Sequence, residues 1–233
     1  EVLEGSLEGF DAVIHLAGAG IGDRRWSKRR MDVIRESRTG PTRLLAERLA
    51  ALERPPEVLL SGSAIGIYGH RPDGPVDEES EHGHGFLTEV AEAWEQATEA
   101  ANEAGIRVVH LRTGLVMTAA GGVLAKQLLP AKLGAGGPIG RGKQQISWIS
   151  FDDHVHAVHH LMMTPDASGP VNLTAPNPVA QRTFARVLGR VLRRPAFAPI
   201  PGFVVKILFG RMGQPLLLEG QAVLPKKLEA YGF

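Results

Sequence analysis

The chain has 233 residues, 43% of them hydrophobic and 22% charged, a balance that excludes a disordered or fibrous protein and suits one α/β domain. A net charge of +1 gives no electrostatic reason to expect nucleic acid or an anionic membrane surface, and the absence of cysteine removes disulfides, thiolate catalysis and cysteine-zinc sites together. The longest apolar stretches, 203–205 and 207–209, are interrupted by Lys206, far short of the ~20 residues of a membrane span.

The chain opens at Glu1 shortly before a strand, without a signal-like start, so we expect a preceding piece to be missing. Asp11 to Leu16 reads as a short buried strand ending at Ala17-Gly18. Ser27 is placed to cap a helix through about Glu36, and Pro41 predicts a kink or a fresh start. Leu44, Leu45, Leu49 and Leu52 carry the helical period on to Pro55-Pro56. Val58-Leu59-Leu60 is a second strand running into Ser61-Gly62-Ser63, and a polar loop is expected from His70 to Gly85. Phe86, Val90, Trp94, Ala97 and Ala101 recur at helical spacing until Gly105, and Ile106 to Leu111 is a third strand before Arg112-Thr113-Gly114.

This alternation predicts an α/β fold with a doubly wound parallel sheet. A glycine-rich excursion then surrounds a short helix from Leu124 to Leu133. Asp152-Asp153 opens a helix, Val171 to Leu173 is a strand, and Thr183 to Leu192 is a helix. Pro195, Pro199 and Pro201 form a linker to a last segment, 203–233.

In open parallel sheets, ligands sit beyond the carboxyl ends of the strands. Leu16-Ala17-Gly18, Ser61-Gly62-Ser63 and Arg112-Thr113-Gly114 stand at three such ends. Small residues let a cofactor approach the backbone, and hydroxyls can bond ribose or a reacting carbonyl; the same residues also make ordinary tight turns. Arg112 suits a phosphate or carboxylate, or an acid within the fold.

These strand ends resemble those of extended short-chain dehydrogenases. His15-Leu16-Ala17-Gly18 is similar to their first strand-end motif. Ser61-Gly62-Ser63-Ala64 with Tyr68-Gly69 is similar to their serine strand, and Gly140-Arg141-Gly142 with Trp148-Ile149 and Asp152-Asp153 to their late loop-to-helix signature. A subgroup of epimerase family proteins resembles the chain further, through Arg25-Trp26, Ser37-Arg38 with Thr42, Trp94-Glu95, Leu111-Arg112-Thr113-Gly114, 136–140 and 224–228. The resemblance implies a Rossmann-like core over 1–194 with a substrate-side excursion at 115–150. It also implies the start of a small C-terminal domain at 195–233. It implies NADP as cofactor, with NAD as the other choice, held by Leu16 to Gly18, Ser61 to Ser63 and Arg112 to Gly114. Arg25, Trp26 and Trp148 fall on the substrate side.

Two departures from the resembled pattern matter. The first βαβ unit, with its glycine-rich pyrophosphate turn, is absent; such a unit takes about 30 residues. The Tyr-x-x-x-Lys dyad is absent too: alignment on Glu95 places Leu87 and Ala91 at its two positions. A tyrosine with pKa of about 10 serves as a base only with such a lysine beside it. Ser63 can still hydrogen-bond a substrate carbonyl, and Tyr68 is a phenol in the right region, or a structural loop tyrosine. His84 and Glu89 flank the vacant dyad, or lie on solvated surface. Four histidines crowd 154–160, but without the glutamate of a metalloprotease motif they predict no metal. Ser63 also lacks the flanking glycines of a hydrolase elbow.

The expected function is an NADP-dependent oxidoreductase or epimerase-like enzyme acting on an unidentified small molecule, a nucleotide-linked or other sugar among the candidates, in the cytoplasm. The alternative is a catalytically silent dinucleotide-binding sensor or scaffold. A homodimer through the 86–104 helix would follow by analogy.

Overall fold

A computed structural model describes residues 7–233. In chain order, β1 (Ala12–His15) leads to α1 (Lys28–Ala50), β2 (Val58–Ala64) and β3 (Arg71–Val76). Helices α2 (Phe86–Gln96) and α3 (Glu99–Glu103) precede β4 (Arg107–Thr113) and β5 (Leu115–Met117). Then come α4 (Gly122–Lys132), β6 (Gln145–Ile146), β7 (Trp148–Ser150), α5 (Phe151–Met163) and β8 (Gly169–Leu173). β9 (Val179–Ala180), α6 (Gln181–Leu192), α7 (Gly202–Phe209), β10 (Gln221–Val223) and α8 (Lys226–Ala230) follow.

Strands β1, β2, β4 and β8 pair in that order, all parallel. The two-residue period of a strand sends alternate side chains to opposite faces. Leu59 and Val108 pack with Ala46, Leu49 and Ala101 of α1 and α3. Val58, Leu60, Val109 and Leu111 pack on the other face with Ala157, Val158 and Leu161 of α5. Both faces are covered, as a parallel sheet requires. The architecture is the expected Rossmann-like doubly wound sheet.

Several element boundaries differ from the sequence reading. Helix α1 runs unbroken through Pro41, with Ser27 Oγ accepting from Arg30 N at its start. Pro41 has no N–H for the preceding turn. Side chains lace that region instead: Arg38 and Ser37 both donate to the Ile34 carbonyl, and Thr39 donates to that of Arg35. The helix that follows residue 85 is two helices rather than one; α2 ends at Gln96, and Thr98 turns its hydroxyl onto the Glu95 carbonyl between them. The loop from His70 to Gly85 contains β3, which pairs with β10. That strand was not visible because its partner lies far along the chain and its sequence holds two prolines and a glycine.

The C-terminal segment begins with α7 and then returns to the core. Ser147 Oγ donates to the Gln221 carbonyl and accepts from Val223 N, Asn172 Nδ2 donates to the Leu224 carbonyl, and Leu228 is buried beneath the sheet. Among the described residues, no helix is long and apolar enough to cross a membrane.

Candidate functional site

The carboxyl end of β1 delivers an exposed turn, Leu16-Ala17-Gly18, with Leu16 50% exposed. Side chains of α1 hold the backbone that follows. Ser37 Oγ accepts from Ala19 N at 3.0 Å, and Arg38 donates to the Ala19 carbonyl at 3.0 Å. Arg30 donates to the Gly20 carbonyl, and Trp26 Nε1 donates to that of Ile21. The turn is therefore preorganised while its apex stays open. Beside it, His15 Nε2 is buried without a hydrogen-bond partner, and burial holds the imidazole pKa below its ordinary value. An orphaned buried nitrogen next to an open, braced turn fits a polar ligand resting on this strand end.

The small residues at the strand ends admit close neighbours within the chain. A Cβ on Gly62 would stand 2.6 Å from Trp94 Cζ2, so this glycine admits the indole of α2. Trp94 Nε1 donates to Thr42 Oγ1 of α1 at 3.0 Å, and Arg38 lies over the ring. Gly114 admits the Ser147 carbonyl and Thr174, and Gly18 admits Arg38. Ser61 is fully buried. Gly62, Gly114 and Ser61 are thus closely packed within the chain.

Ser63, 4% exposed, donates to Glu95 Oε1 at 2.6 Å. Arg112 grips the same carboxylate with Nε at 2.8 Å and Nη2 at 3.0 Å. Burial pushes the Glu95 pKa up, but the Arg112 hydrogen bonds and charge, with smaller help from His110 and Ser63, hold it below the ordinary carboxylate value. Burial likewise acts against the Arg112 charge, and Glu95 outweighs it, so Arg112 stays a cation. Thr98 gives its proton to the Glu95 carbonyl, so the nearby His110 Nε2 donates to Thr98. Burial keeps His110 neutral in preference to charged.

Arg112 Nη1 also donates to Tyr68 Oη at 3.0 Å, and Tyr68 donates to Asn172 Oδ1 at 2.7 Å. Tyr68 is fully buried, and burial raises its pKa against the pull of Arg112 and Asn172. The phenol is enclosed by its partners, as the structural alternative for Tyr68 expects. Arg112 is 3% exposed, and its guanidinium is engaged by Glu95 and Tyr68.

The remaining candidates separate. Arg25 donates through Nε and Nη2 to the Leu208 and Ile207 carbonyls at 2.7 Å each, fastening the last turn of α7. Trp26 is buried edge-on against Phe86. Both make structural contacts within the chain. Trp148 is half-buried and donates to the Asn177 carbonyl. Thr113 gives its proton to the Leu111 carbonyl and receives one from His154. Glu89 pairs with Arg35 on the surface, and His84 is exposed. Leu87 packs against Gly66, and Ala91 is buried among Ile67, Tyr68, Val76 and Val223, so both vacant dyad positions are filled by packing. Sequence reasoning missed Glu95 and His15 as site residues. Glu95 stood only as an alignment mark, and its neighbour Trp94 was the available signal.

The site and sheet together define a dinucleotide-fold protein of the short-chain-dehydrogenase kind. The NAD dependent epimerase/dehydratase family matches residues 2–174, and a domain of unknown function, DUF1731, matches residues 200–233. The chain belongs to that epimerase/dehydratase family. An epimerase family protein of Mycobacterium bovis is 40% identical over 228 residues, covering 98% of this chain and 75% of that protein. One of Bacillus subtilis is 36% identical, covering 99% of this chain and 75% of its own length. The crystal structure of human epimerase family protein SDR39U1 with NADPH superposes with a TM-score of 0.92 at 33% identity, over 97% of this chain and 78% of that one.

Proposed function

We propose that this protein binds NADP(H) at the carboxyl end of β1 and exchanges hydride with a small molecule held beneath the 115–150 excursion. The observation that carries the reading is the exposed Leu16-Ala17-Gly18 turn, braced by α1 and flanked by the orphaned His15 Nε2. The NADPH in the human relative supports the choice of cofactor. Leu16 to Gly18 would hold the dinucleotide, with His15 Nε2 available to a polar group of it. The cofactor supplies the hydride chemistry, and the protein supplies position and orientation.

Ser63 enters this reading with its role inverted. Its proton is committed to an ionised Glu95, so it offers the cleft only lone pairs. At 4% exposure it accepts from a ligand hydroxyl or amide N–H only where the ligand displaces the groups that cover it, in place of donating to a carbonyl. With Leu87 and Ala91 where a dyad would stand, neither of those two positions of α2 moves a proton.

The test is an Ala17→Asp variant of the full-length protein. Ala17 is exposed, so folding should be unchanged, while a carboxylate on the turn should weaken NADPH by about ten-fold or more, about 1.4 kcal/mol. Unchanged NADPH affinity would remove the turn from the site. The specific observation favouring a silent cofactor sensor is that the Ser63 and Tyr68 hydroxyls both donate internally. Oxidation of bound NADPH, followed by absorbance across a panel of small carbonyl compounds, would eliminate the sensor reading.

A further inference from the structure

The most exposed large hydrophobic side chains among the described residues are Phe197, Leu133 and Val191, at 82%, 77% and 72%. They come from three elements that meet at one place. Leu133 follows α4, Val191 lies in the last turn of α6, and Phe197 stands in the linker before α7. The linker folds back over both helix ends. Arg194 N donates to the Gly189 carbonyl, and a Cβ on Gly189 would stand 2.5 Å from Ala196 Cβ. On the other side, a Cβ on Gly134 would stand 3.8 Å from Pro195 Cγ, and one on Gly137 would meet the Ala198 carbonyl. Leu129 and Val187, each one helical turn earlier, are exposed as well.

Charge gathers at the same place. Arg182, Arg186 and Arg190 follow one another at four-residue spacing on α6 and share a stripe, and Val187 and Val191 form the stripe beside it. Arg193 and Arg194 continue the charge past the helix end. All five arginines are exposed, and none forms an ion pair among the described residues. Residues 104–151 and 167–218, which supply both helices and the linker, contain no aspartate or glutamate. The net charge of +1 conceals this concentration because most of the acids precede residue 104. Arg193 adds a second sign. It ends α6 at φ 54°, in the left-handed region that favours glycine, and is the one non-glycine residue there among the described residues. A long charged side chain kept where the backbone would favour glycine points to a task outside folding.

Single apolar residues on a surface need no explanation, but a cluster bordered by unpaired arginines does. A second copy of this chain would bring like charges together. Nucleic acid offers phosphates, but nothing for aliphatic side chains to enter. An anionic bilayer takes both, with headgroups for the guanidinium groups and an acyl boundary for the apolar side chains. Pro195, Pro199 and Pro201 restrict the linker, so Phe197 loses little freedom on insertion.

We propose that the ends of α4 and α6, with the linker between α6 and α7, form a surface that docks on an anionic phospholipid bilayer. Phe197, Val191 and Leu133 enter the interface, and the arginines of α6 meet the headgroups. This contact is peripheral and needs no spanning segment. It uses none of the residues assigned to the cofactor. The experiment mixes the full-length protein with vesicles of equal parts phosphatidylcholine and phosphatidylglycerol, or of phosphatidylcholine alone, and reads the bound fraction by sedimentation. Binding to the anionic vesicles is expected, weakened by salt and at least about ten-fold weaker on the neutral ones. Arg190→Gln/Arg194→Gln should weaken it by about ten-fold or more, and Phe197→Ser should weaken it too, with melting temperature and NADPH affinity unchanged. Arg193→Gly should weaken it several-fold while melting temperature holds or rises, an outcome that a purely structural arginine would not give. In Phe197→Trp, the added emission should shift to the blue on anionic vesicles. No binding to anionic vesicles, or binding indifferent to the arginine substitutions, would overturn the docking surface. Equal binding to neutral vesicles would overturn the role of charge, and an unshifted Phe197→Trp emission would overturn insertion. Tight binding of RNA or of an acidic protein with vesicles left unbound would overturn the assignment to lipid.

Discussion

Arg112 and Glu95 are the residues on which the candidate site turns. Their pairing costs desolvation on both sides, and the hydrogen bonds from Ser63 and to Tyr68 use the capacity that remains. Removing one partner leaves the other charge buried and uncompensated. Arg112→Ala should therefore cost about 3–5 kcal/mol in chemical denaturation. A loss under about 1 kcal/mol would mean that water reaches Glu95 and screens it as at a surface. Glu95→Gln should release the Ser63 proton toward the cleft and change which ligand groups Ser63 accepts or donates to, with cofactor binding unaltered. At this scale the sequence was half legible. Arg112 was read as a ligand for an anion or a partner for an acid, and the structure selects the second. Tyr68 was read as a phenol near the site or a structural loop tyrosine, and nothing local reveals that Asn172, 104 residues on, receives its hydrogen bond.

The elements around the site explain why the family's marks recur as a set. Trp94 on α2 reaches between β2 and α1, with Gly62 giving it room and Thr42 accepting its N–H. Gly62→Ala should overpack this junction and destabilise the fold by about 1–3 kcal/mol, seen as a lower denaturation midpoint. Combining it with Trp94→Phe should recover part of the loss, because the phenyl ring vacates the contacted edge. Helix α5 gives a cleaner local measure: Ser150 Oγ accepts from Asp153 N, so Ser150→Ala should cost about 1 kcal/mol. Helices with a strong apolar period and a visible cap were legible. Helix α1 was misread at Pro41 because tertiary packing of Ile34, Thr42, Ala46 and Leu49 outweighs one lost backbone bond. The short pairs β5–β7, β6–β9 and β3–β10 escaped because each depends on a partner elsewhere in the chain.

For the molecule as a whole, pH reports the buried polar groups together. Burial lowers the pKa of His15, His110 and His154, so between their folded values and 6.5 the unfolded chain binds more protons than the folded one. Stability is complete above pH 6.5 and falls as pH drops below it. Glu95, also lowered, adds a second loss that begins near its unfolded value of 4.5. Melting temperature should thus decline from pH 7 to 4, and a His110→Gln variant should show a shallower decline above pH 5. The C-terminal segment is part of the same cooperative unit, since Leu228 lies in the sheet's core. Leu228→Ala should cost about 2–5 kcal/mol in a single transition. The rhythm of strands and helices made the parallel sheet legible from the sequence. The return of residues 221–228 to the core was not, because it is carried by backbone hydrogen bonds to Ser147, Asn172 and Thr174 and by one leucine.

Cofactor binding is the claim on which the functional reading depends, and Trp26, Trp94 and Trp148 provide an internal probe of it. NADPH and then NADH should be titrated into the full-length protein while tryptophan fluorescence and energy transfer to the reduced nicotinamide are followed. Saturable binding in the micromolar range with a preference for NADPH is the expected result. No saturable change with either nucleotide would contradict the reading and leave the fold as a scaffold put to another use.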